Sequence, residues 1–262
     1  MNPYIGITDF TNLQQVLSMS SVFRAHMPED SERKLHVGVM MSHKTLHNVP
    51  NKWQNVFPPK EEIADIFHAL SVYNCLHYAD YGNNADLWRS LASAIRFGGL
   101  RMNALQLDMT WPDPAEVEKG IGTHCCRIEV IVQIGKRAFE EAGDTPQGVV
   151  ERLSRYDGVI HRVLLDKSMG RGVGMDANGL MPFILAIREK FPKLGIGVAG
   201  GLGPNTLGLV EPLVREFPDL SIDAQGKLRP SGSILDPIDW NMAEAYLVKA
   251  IELFSQTKES TA

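Results

Sequence analysis

The sequence is poor in cysteine. Only three of its 262 residues are cysteines, an odd number, and two of them, Cys125 and Cys126, are adjacent. Adjacent cysteines are poorly placed to pair with each other, so we do not expect disulfides to support the fold. The shortage favours a reduced, cytoplasmic protein.

Long apolar runs and an excess of positive charge are also missing. A membrane-spanning helix needs roughly 18 consecutive apolar residues, and the sequence contains no such run. Residues Met1–Asp9 lack a basic stretch followed by an apolar block, so no signal peptide is expected. With 26 basic and 31 acidic residues, the formal net charge is −5. The sequence therefore lacks the basic surface of a nucleic-acid-binding protein, and neither nucleic acid nor a membrane is an expected partner.

The sequence does contain the alternation of an α/β protein. Eight short apolar runs are predicted to be β-strands: Tyr4–Thr8, Leu35–Met41, Val72–Tyr78, Ala104–Met109, Ile128–Ile134, Val159–Leu165, Gly195–Ala199 and Leu220–Asp223. Stretches with helical periodicity lie between or after them: Pro59–Leu70, Asp86–Phe97, Asn178–Phe191, Pro204–Phe217 and Asp239–Phe254. This pattern predicts a (β/α)8 TIM barrel, with a doubly wound open sheet as the alternative.

The strand count, the chain length and the glycines near the last strands favour the barrel over the open sheet. A barrel of this kind commonly occupies about 200–250 residues as one domain. Because no shift in composition marks a second domain, we expect one barrel over residues 1–256, followed by a short tail at 257–262.

Polar side chains lie where several predicted strands end, which is where barrels carry their functional groups. The acidic ones are Asp9, Asp108, Asp166 and Asp223, and Gln133 lies near the end of the fifth strand. Carboxyl groups that approach one another can have their pKa values driven apart, so that one serves as acid and another as base.

A glycine-rich segment follows the seventh strand and predicts an anion site. Gly200, Gly201 and Gly203 precede Pro204, which is typical of a first helical turn. Glycines let a ligand approach the backbone closely, and free N–H groups at a helix start favour phosphate. Barrels often bind phosphate in this region.

A second glycine-rich segment, Met169–Asp176, follows the sixth strand. It contains Gly172 and Gly174, with Arg171 as a candidate anion partner. The usual dinucleotide fingerprint is not matched, so no nucleotide cofactor is expected. The segment is otherwise interpreted as a lid or a flexible connection.

Taken together, these residues resemble phosphoribosylanthranilate isomerase, the barrel enzyme of tryptophan synthesis. The matching segments are Ile5–Thr8, Gln106–Asp108, Leu164–Asp166, Gly170–Asp176, Ala199–Pro204 and Asp223–Gly226. The resemblance implies isomerisation of a phosphorylated sugar or sugar amine without a cofactor or metal, with Asp166 as general acid. The phosphate-binding residues expected on this basis are Gly200, Gly201, Gly203, Gly172, Gly174, Gln225 and Gly226, and the further substrate contacts are Asp223, Arg171 and Gln133.

The sequence departs from that family in three places. Ile5 stands where the family has its catalytic cysteine, and isoleucine cannot accept a proton. Asp108 replaces a histidine, and Ala224 and Gln225 replace paired serines. The base is therefore open, with Asp108 and Asp9 as the candidates.

Other functions remain as alternatives. The loss of the strand-one base supports a catalytically inactive barrel that binds a phosphorylated metabolite. Lys44, Lys136 and Lys167 lie near predicted strand ends, where a lysine could form a Schiff base in a lyase or aldolase. A metal-assisted reaction would draw on His43, His77 or Asp80, but no metal-binding spacing is present. The sequence leaves the oligomeric state open, and a homo-oligomer is possible.

Overall fold

The computed structural model describes residues 1–54, 56–82, 85–125, 127–167 and 174–259. Eight parallel strands close into a barrel in chain order. They are β1 Tyr4–Thr8, β2 Lys34–Ser42, β3 Tyr73–Ala79, β4 Ala104–Asp108, β5 Glu129–Gly135, β6 Arg162–Asp166, β7 Gly195–Ala199 and β8 Ser221–Ala224. The predicted single-domain (β/α)8 barrel is confirmed, and the open sheet is excluded because β1 pairs with β8.

Helices surround the barrel on its outer face. They are α1 Leu13–His26, α2 His43–Leu46, α3 Ile63–Ile66, α4 Leu87–Gly98, α5 Pro114–Ile121, α6 Lys136–Glu141, α7 Pro146–Leu153, α8 Ala177–Lys190, α9 Glu211–Glu216 and α10 Trp240–Glu259. Helix α10 continues through residues 257–259, which the sequence assigned to the tail. No helix in the described ranges is long and apolar enough to cross a membrane.

Two of the predicted helical stretches are broken rather than continuous. In Pro204–Phe217, the Thr206 hydroxyl donates to the carbonyl of Gly201 (2.6 Å), which holds the chain in a turn. Helix α9 therefore begins only at Glu211, after a 3₁₀ turn. In Pro59–Leu70, a 3₁₀ turn precedes α3, which ends at Ile66. Helical periodicity predicted the buried face of these stretches but not their breaks.

The strands bury both of their faces in separate cores. Every second residue of a strand packs under the helices, and Ile5 and Ile7 of β1 belong to this outer core. The residues between them fill the barrel interior: Tyr4, Cys75, Ala104, Ile131, Leu164 and Ala199. Side chains alternate between the two faces of a strand. Every second residue of a strand therefore faces the barrel interior, up to the carboxyl end of that strand.

Two glycines leave room in the upper barrel interior. A Cβ atom on Gly6 would lie 2.5 Å from Oδ1 of Asp223, and one on Gly38 would lie 2.4 Å from Oγ1 of Thr8. The side chains of Asp223 and Thr8 therefore occupy interior space that a side chain at position 6 or 38 would otherwise fill.

Candidate active site

A solvent-open cavity lies at the carboxyl ends of the strands. Side chains from β3, β4, β5, β6 and β8 form one part of its wall, and the loops after β7 and β8 form the rest. The cavity therefore has a polar side-chain wall and a glycine-rich backbone wall.

Asp108, the last residue of β4, is mostly buried and lies just outside the cavity lining, next to the lining residue His77. The Tyr81 hydroxyl donates a hydrogen bond to its Oδ2. Nε2 of His77 lies 3.8 Å from the same oxygen. Burial raises the pKa of Asp108 to about 6, although the Tyr81 hydrogen bond opposes the rise. A carboxylate with this pKa is ionised at neutral pH and still a usable base.

A chain of side-chain amides connects the ends of β3 to β6. Nε2 of Gln106 donates to Oε1 of Gln133 (3.1 Å), and Nε2 of Gln133 donates to Oδ2 of Asp166 (3.4 Å). The same Gln106 nitrogen lies 3.2 Å and 3.3 Å from the two ring nitrogens of His77. Gln133 and Asp166, two residues expected from the sequence, thus meet in one network on the cavity wall.

Asp223 lies on β8, and its side chain is 5% exposed. Thr8 donates to its carboxylate at 3.0 and 3.2 Å, and Nδ1 of His36 lies 3.9 Å away. Burial raises the pKa of Asp223 to about 7, with the negative charges of Asp9 and Asp166 adding to the rise and the Thr8 hydrogen bond opposing it. This aspartate therefore keeps its proton over much of the neutral range.

Asp9, the second candidate base, has a different environment. Arg229 donates to its Oδ2, and Nε2 of Gln225 donates to the same oxygen at 3.0 Å. Its backbone has a φ of 90°, which turns the chain sharply after β1. Asp9 is absent from the cavity lining, whereas Gln225 is present in it. Asp9, at the end of β1, thus holds the loop after β8 through the hydrogen bonds from Gln225 and Arg229.

The glycine-rich wall lies opposite. Gly200 (φ 108°) and Gly201 (φ 69°) follow β7 and line the cavity together with Gly226. Within the described residues, no acceptor is recorded for the backbone N–H groups of Gly201 and Gly226. Lys227 lines the same part of the cavity, and a lysine beside free N–H groups suits an anion.

The remaining predicted glycines lie away from the cavity or outside the described residues. A Cβ atom on Gly203 would lie 2.7 Å from Cβ of Lys227, so Gly203 lets the loops after β7 and β8 pack together. Gly174 packs beside Leu209, and neither Gly174 nor Gly203 lines the cavity. Gly172 and Arg171 lie outside the described residues.

The position of Ile5 corrects one inference from the resemblance. Ile5 is fully buried and packs in the outer core under the helices. A cysteine at this position would not reach the cavity, because alternate residues of a strand point to opposite faces. The correspondence between Ile5 and a catalytic cysteine is therefore wrong for this barrel.

The lysines and metal ligands considered from the sequence are not assembled in the cavity. Lys136 pairs with Glu140 (3.6 Å) and Lys167 with Asp144 (2.9 Å), and neither they nor Lys44 line it. Across the described ranges, no group of three or more metal-binding side chains is placed to hold an ion.

Sequence reasoning missed three contributors to the cavity and its network: Gln106, Tyr81 and Lys227. It also treated His77 only as a weak candidate metal ligand. A signal was present for His77 and Gln106, since both are polar residues inside apolar strands. Each follows a buried leucine of the outer core, Leu76 or Leu105, so each points to the opposite face of its strand, into the barrel interior.

The comparisons with known proteins identify the fold. No family model matches the sequence, and no curated protein matches it. Among solved structures, phosphonopyruvate hydrolase matches with a TM-score of 0.53 at 11% identity, over 100% of this chain and 84% of that one. Its complex with oxalate and Mg²⁺ gives 0.52 at 13% identity, over 99% and 83%.

A protein of Sinorhizobium meliloti that is provisionally named an isomerase matches with a TM-score of 0.51 at 8% identity. The match covers 87% of this chain and 50% of that one. Identities this low show that the proteins share a barrel fold. They do not show a shared reaction or a shared family.

Proposed function

We propose that this barrel is an enzyme that binds a small phosphorylated metabolite and isomerises it by proton transfer. The substrate class is a phosphorylated sugar or sugar amine. The observation that carries the proposal is the pairing, in one cavity, of a glycine-rich wall with a polar wall that contains the half-buried Asp166 and the buried Asp223. Asp108 lies next to this wall, with its carboxylate 3.8 Å from His77. Two carboxyl groups of the site, Asp108 and Asp223, have pKa values raised into the range useful for acid–base chemistry.

The phosphate would bind between the loops after β7 and β8. The N–H groups of Gly201 and Gly226 supply donors without a bulky side chain in the way, and Lys227 supplies a positive charge. Arg229 is not available for this role because it already pairs with Asp9. Phosphate at this end would direct the rest of the substrate toward the polar wall.

The reaction requires one group to give a proton and another to take one. An acid protonates the ring oxygen as the sugar ring opens, and a base removes the proton from C2. We assign the base to Asp108, which is ionised at neutral pH, and the acid to Asp166, as the resemblance implies. Asp223 lines the same cavity, and burial raises its pKa to about 7, so it is the carboxyl group of the site that keeps a proton over much of the neutral range.

The neighbours with the same fold include proteins named as a hydrolase and an isomerase, which supports an enzyme. The alternative is a barrel that binds the metabolite without converting it. One observation favours this alternative: Asp9, the second candidate base, is paired with Arg229.

The test is binding first and turnover second. We would measure thermal stability with inorganic phosphate, sugar phosphates and a reduced analogue of the isomerase product. A ligand at about 100 times its Kd stabilises by about 2.7 kcal/mol, which is easily detected. A larger effect of the analogue than of phosphate is expected, and no effect of any phosphorylated compound would refute the site.

Two variants sharpen the test. Gly201→Val should abolish the phosphate effect, because its φ of 69° is strained for a β-branched residue. Gly208→Val is the matched control, since Gly208 follows the same strand but has open space around it. Asp166→Asn should bind the analogue but lose turnover. Binding in the parent protein without turnover on any sugar phosphate would favour the inactive barrel.

A further inference from the structure

The polar wall of the cavity carries hydrogen-bonding side chains from separate strands. They are His77 on β3, Gln106 on β4, Gln133 on β5, Asp166 on β6 and Asp223 on β8. The two glutamines take no part in the proposed proton transfer, although they lie between His77 and Asp166. Their amides are placed to contact the part of a bound substrate that lies beyond the phosphate.

Gln106 has a hydrogen-bond acceptor without a donor. Its Nε2 donates to Oε1 of Gln133 (3.1 Å) and lies 3.2 and 3.3 Å from the two ring nitrogens of His77, which places it over the ring face. Turning the amide over would bring Oε1 against the Gln133 oxygen, so the observed orientation is the favourable one. In that orientation Oε1 is buried and has no partner among the described residues. A buried acceptor without a donor is costly, so this oxygen requires one.

Gln133 has a hydrogen to spare. Its Oε1 accepts from Gln106, and its amide nitrogen donates to Oδ2 of Asp166 at 3.4 Å. An amide nitrogen carries two hydrogens, and Asp166 is the acceptor recorded for this nitrogen within the described ranges. Because Gln133 is half-buried and lines the cavity, its second N–H is available to a ligand.

An unused acceptor beside an unused donor fits hydroxyl groups. A hydroxyl both donates and accepts a hydrogen bond, so it can pair with Gln106 and with Gln133. Asp223 adds a carboxyl O–H over much of the neutral range, since burial raises its pKa to about 7. A carbon chain with a hydroxyl on each carbon presents several such groups to the wall at once.

The cavity offers little to an aromatic group. Apart from the imidazole of His77, no aromatic side chain lines its described part, and no residue outside the described ranges is aromatic. Leu164 and Leu202 are each only 1% exposed, so they present almost no apolar surface. The half-buried Ile234 lies beside Gly226, at the phosphate end. Aromatic parts of ligands are normally held by apolar and aromatic side chains, which the polar wall lacks.

We propose that the substrate is an unsubstituted sugar phosphate, whose hydroxyl groups bind the amides of Gln106 and Gln133, and that a sugar amine with an aromatic substituent is excluded. This inference rests on the proposed function for the site of the phosphate. It goes further by choosing between the two substrate classes and by making both glutamines specificity-determining residues.

The test compares three phosphate esters on a five-carbon chain by isothermal titration calorimetry. They are ribitol 5-phosphate, pentyl phosphate and ribitol 5-phosphate with an anilino group in place of the C1 hydroxyl. Ribitol 5-phosphate should bind about tenfold or more tightly than pentyl phosphate, which has no hydroxyl groups for the amides. The anilino group should weaken binding by about tenfold or more, because its ring displaces water from polar groups and gives them no partner.

Two variants assign the preference to the amides. Gln133→Met and Gln106→Met remove the amide with little change in side-chain length. In each, the preference for ribitol 5-phosphate over pentyl phosphate should fall to about threefold or less, while the Kd of inorganic phosphate is unchanged. Gln14→Met, at an exposed glutamine on α1, is the matched control and should keep the parent preference. Because Gln133 is half-buried, its variant provides the test even if Gln106→Met does not fold.

Equal affinities of the parent protein for ribitol 5-phosphate and pentyl phosphate would overturn the inference. Binding of the anilino compound as tight as that of ribitol 5-phosphate would also overturn it, as would an unchanged preference in the methionine variants. In all of these cases phosphate esters still bind, so the proposed phosphate site stands. If neither inorganic phosphate nor any of the esters binds, the proposed function is refuted and the inference with it.

Discussion

Replacing Asp223 with asparagine should make the stability of the barrel less sensitive to pH. The parent side chain is buried beside Thr8 and His36, where Gly6 leaves space for it. Its pKa is raised in the folded protein from 3.8 to about 7, mainly by burial. Asparagine has nearly the same shape and cannot ionise, so Asp223→Asn isolates the cost of burying this charge.

The sign follows from proton linkage. Between about pH 4 and pH 7 the folded protein keeps the proton on Asp223, whereas the unfolded chain releases it. The contribution of this group to stability is therefore greatest below pH 4, falls as the pH rises to about 7, and is constant above that. A rise from 3.8 to about 7 corresponds to about 4 kcal/mol at about 1.4 kcal/mol per pH unit.

The measurement is urea denaturation of the parent and Asp223→Asn proteins at several pH values between 4 and 8. The free energy of unfolding of the variant minus that of the parent should increase by up to about 4 kcal/mol from pH 4 to pH 8, because only the parent loses stability as the pH rises. If the variant loses hydrogen bonding to Thr8, the difference in the free energy of unfolding changes by the same amount at every pH. Asp157→Asn, at an exposed aspartate, is the control and should show no such trend. A difference independent of pH would refute the argument that burial controls this carboxyl group.

Three further substitutions test other contacts of the fold and the site. Gly6→Ala should destabilise the barrel by about 1–3 kcal/mol in urea denaturation, because its Cβ would lie 2.5 Å from Oδ1 of Asp223. Arg229→Met should cost about 3–5 kcal/mol by leaving Asp9 buried without its partner, and adding Asp9→Asn should recover part of that loss. Ile5→Cys should lose about 1–3 kcal/mol and give a thiol that reagents do not reach, with no gain in isomerase turnover.

Each of these has an outcome that contradicts it. Gly208→Ala, where a Cβ meets open space, provides the comparison for Gly6→Ala, and equal stabilities would show that β1 accommodates the methyl group. No recovery in the Arg229→Met, Asp9→Asn double variant would show that the charge of Asp9 is not the cause of the loss. A gain of turnover in Ile5→Cys would show that this side chain does reach the cavity.

The sequence alone determined the architecture. Eight apolar runs at regular intervals predict eight strands, and the structure has strands at all eight positions, with ends that differ by a few residues. It also placed Asp108, Asp166, Asp223 and Gln133 at one face, because the carboxyl ends of parallel strands meet at the same end of a barrel. These inferences depend only on local periodicity and on chain order.

The tertiary structure decided which of these residues share an environment. Asp9 and Arg229 are 220 positions apart, and no local pattern reveals that they pair. Whether Ile5 faces the helices or the interior depends on strand parity, which a shift of one residue reverses. The raised pKa values of Asp108 and Asp223 come mainly from burial, which many distant segments produce together once the barrel closes.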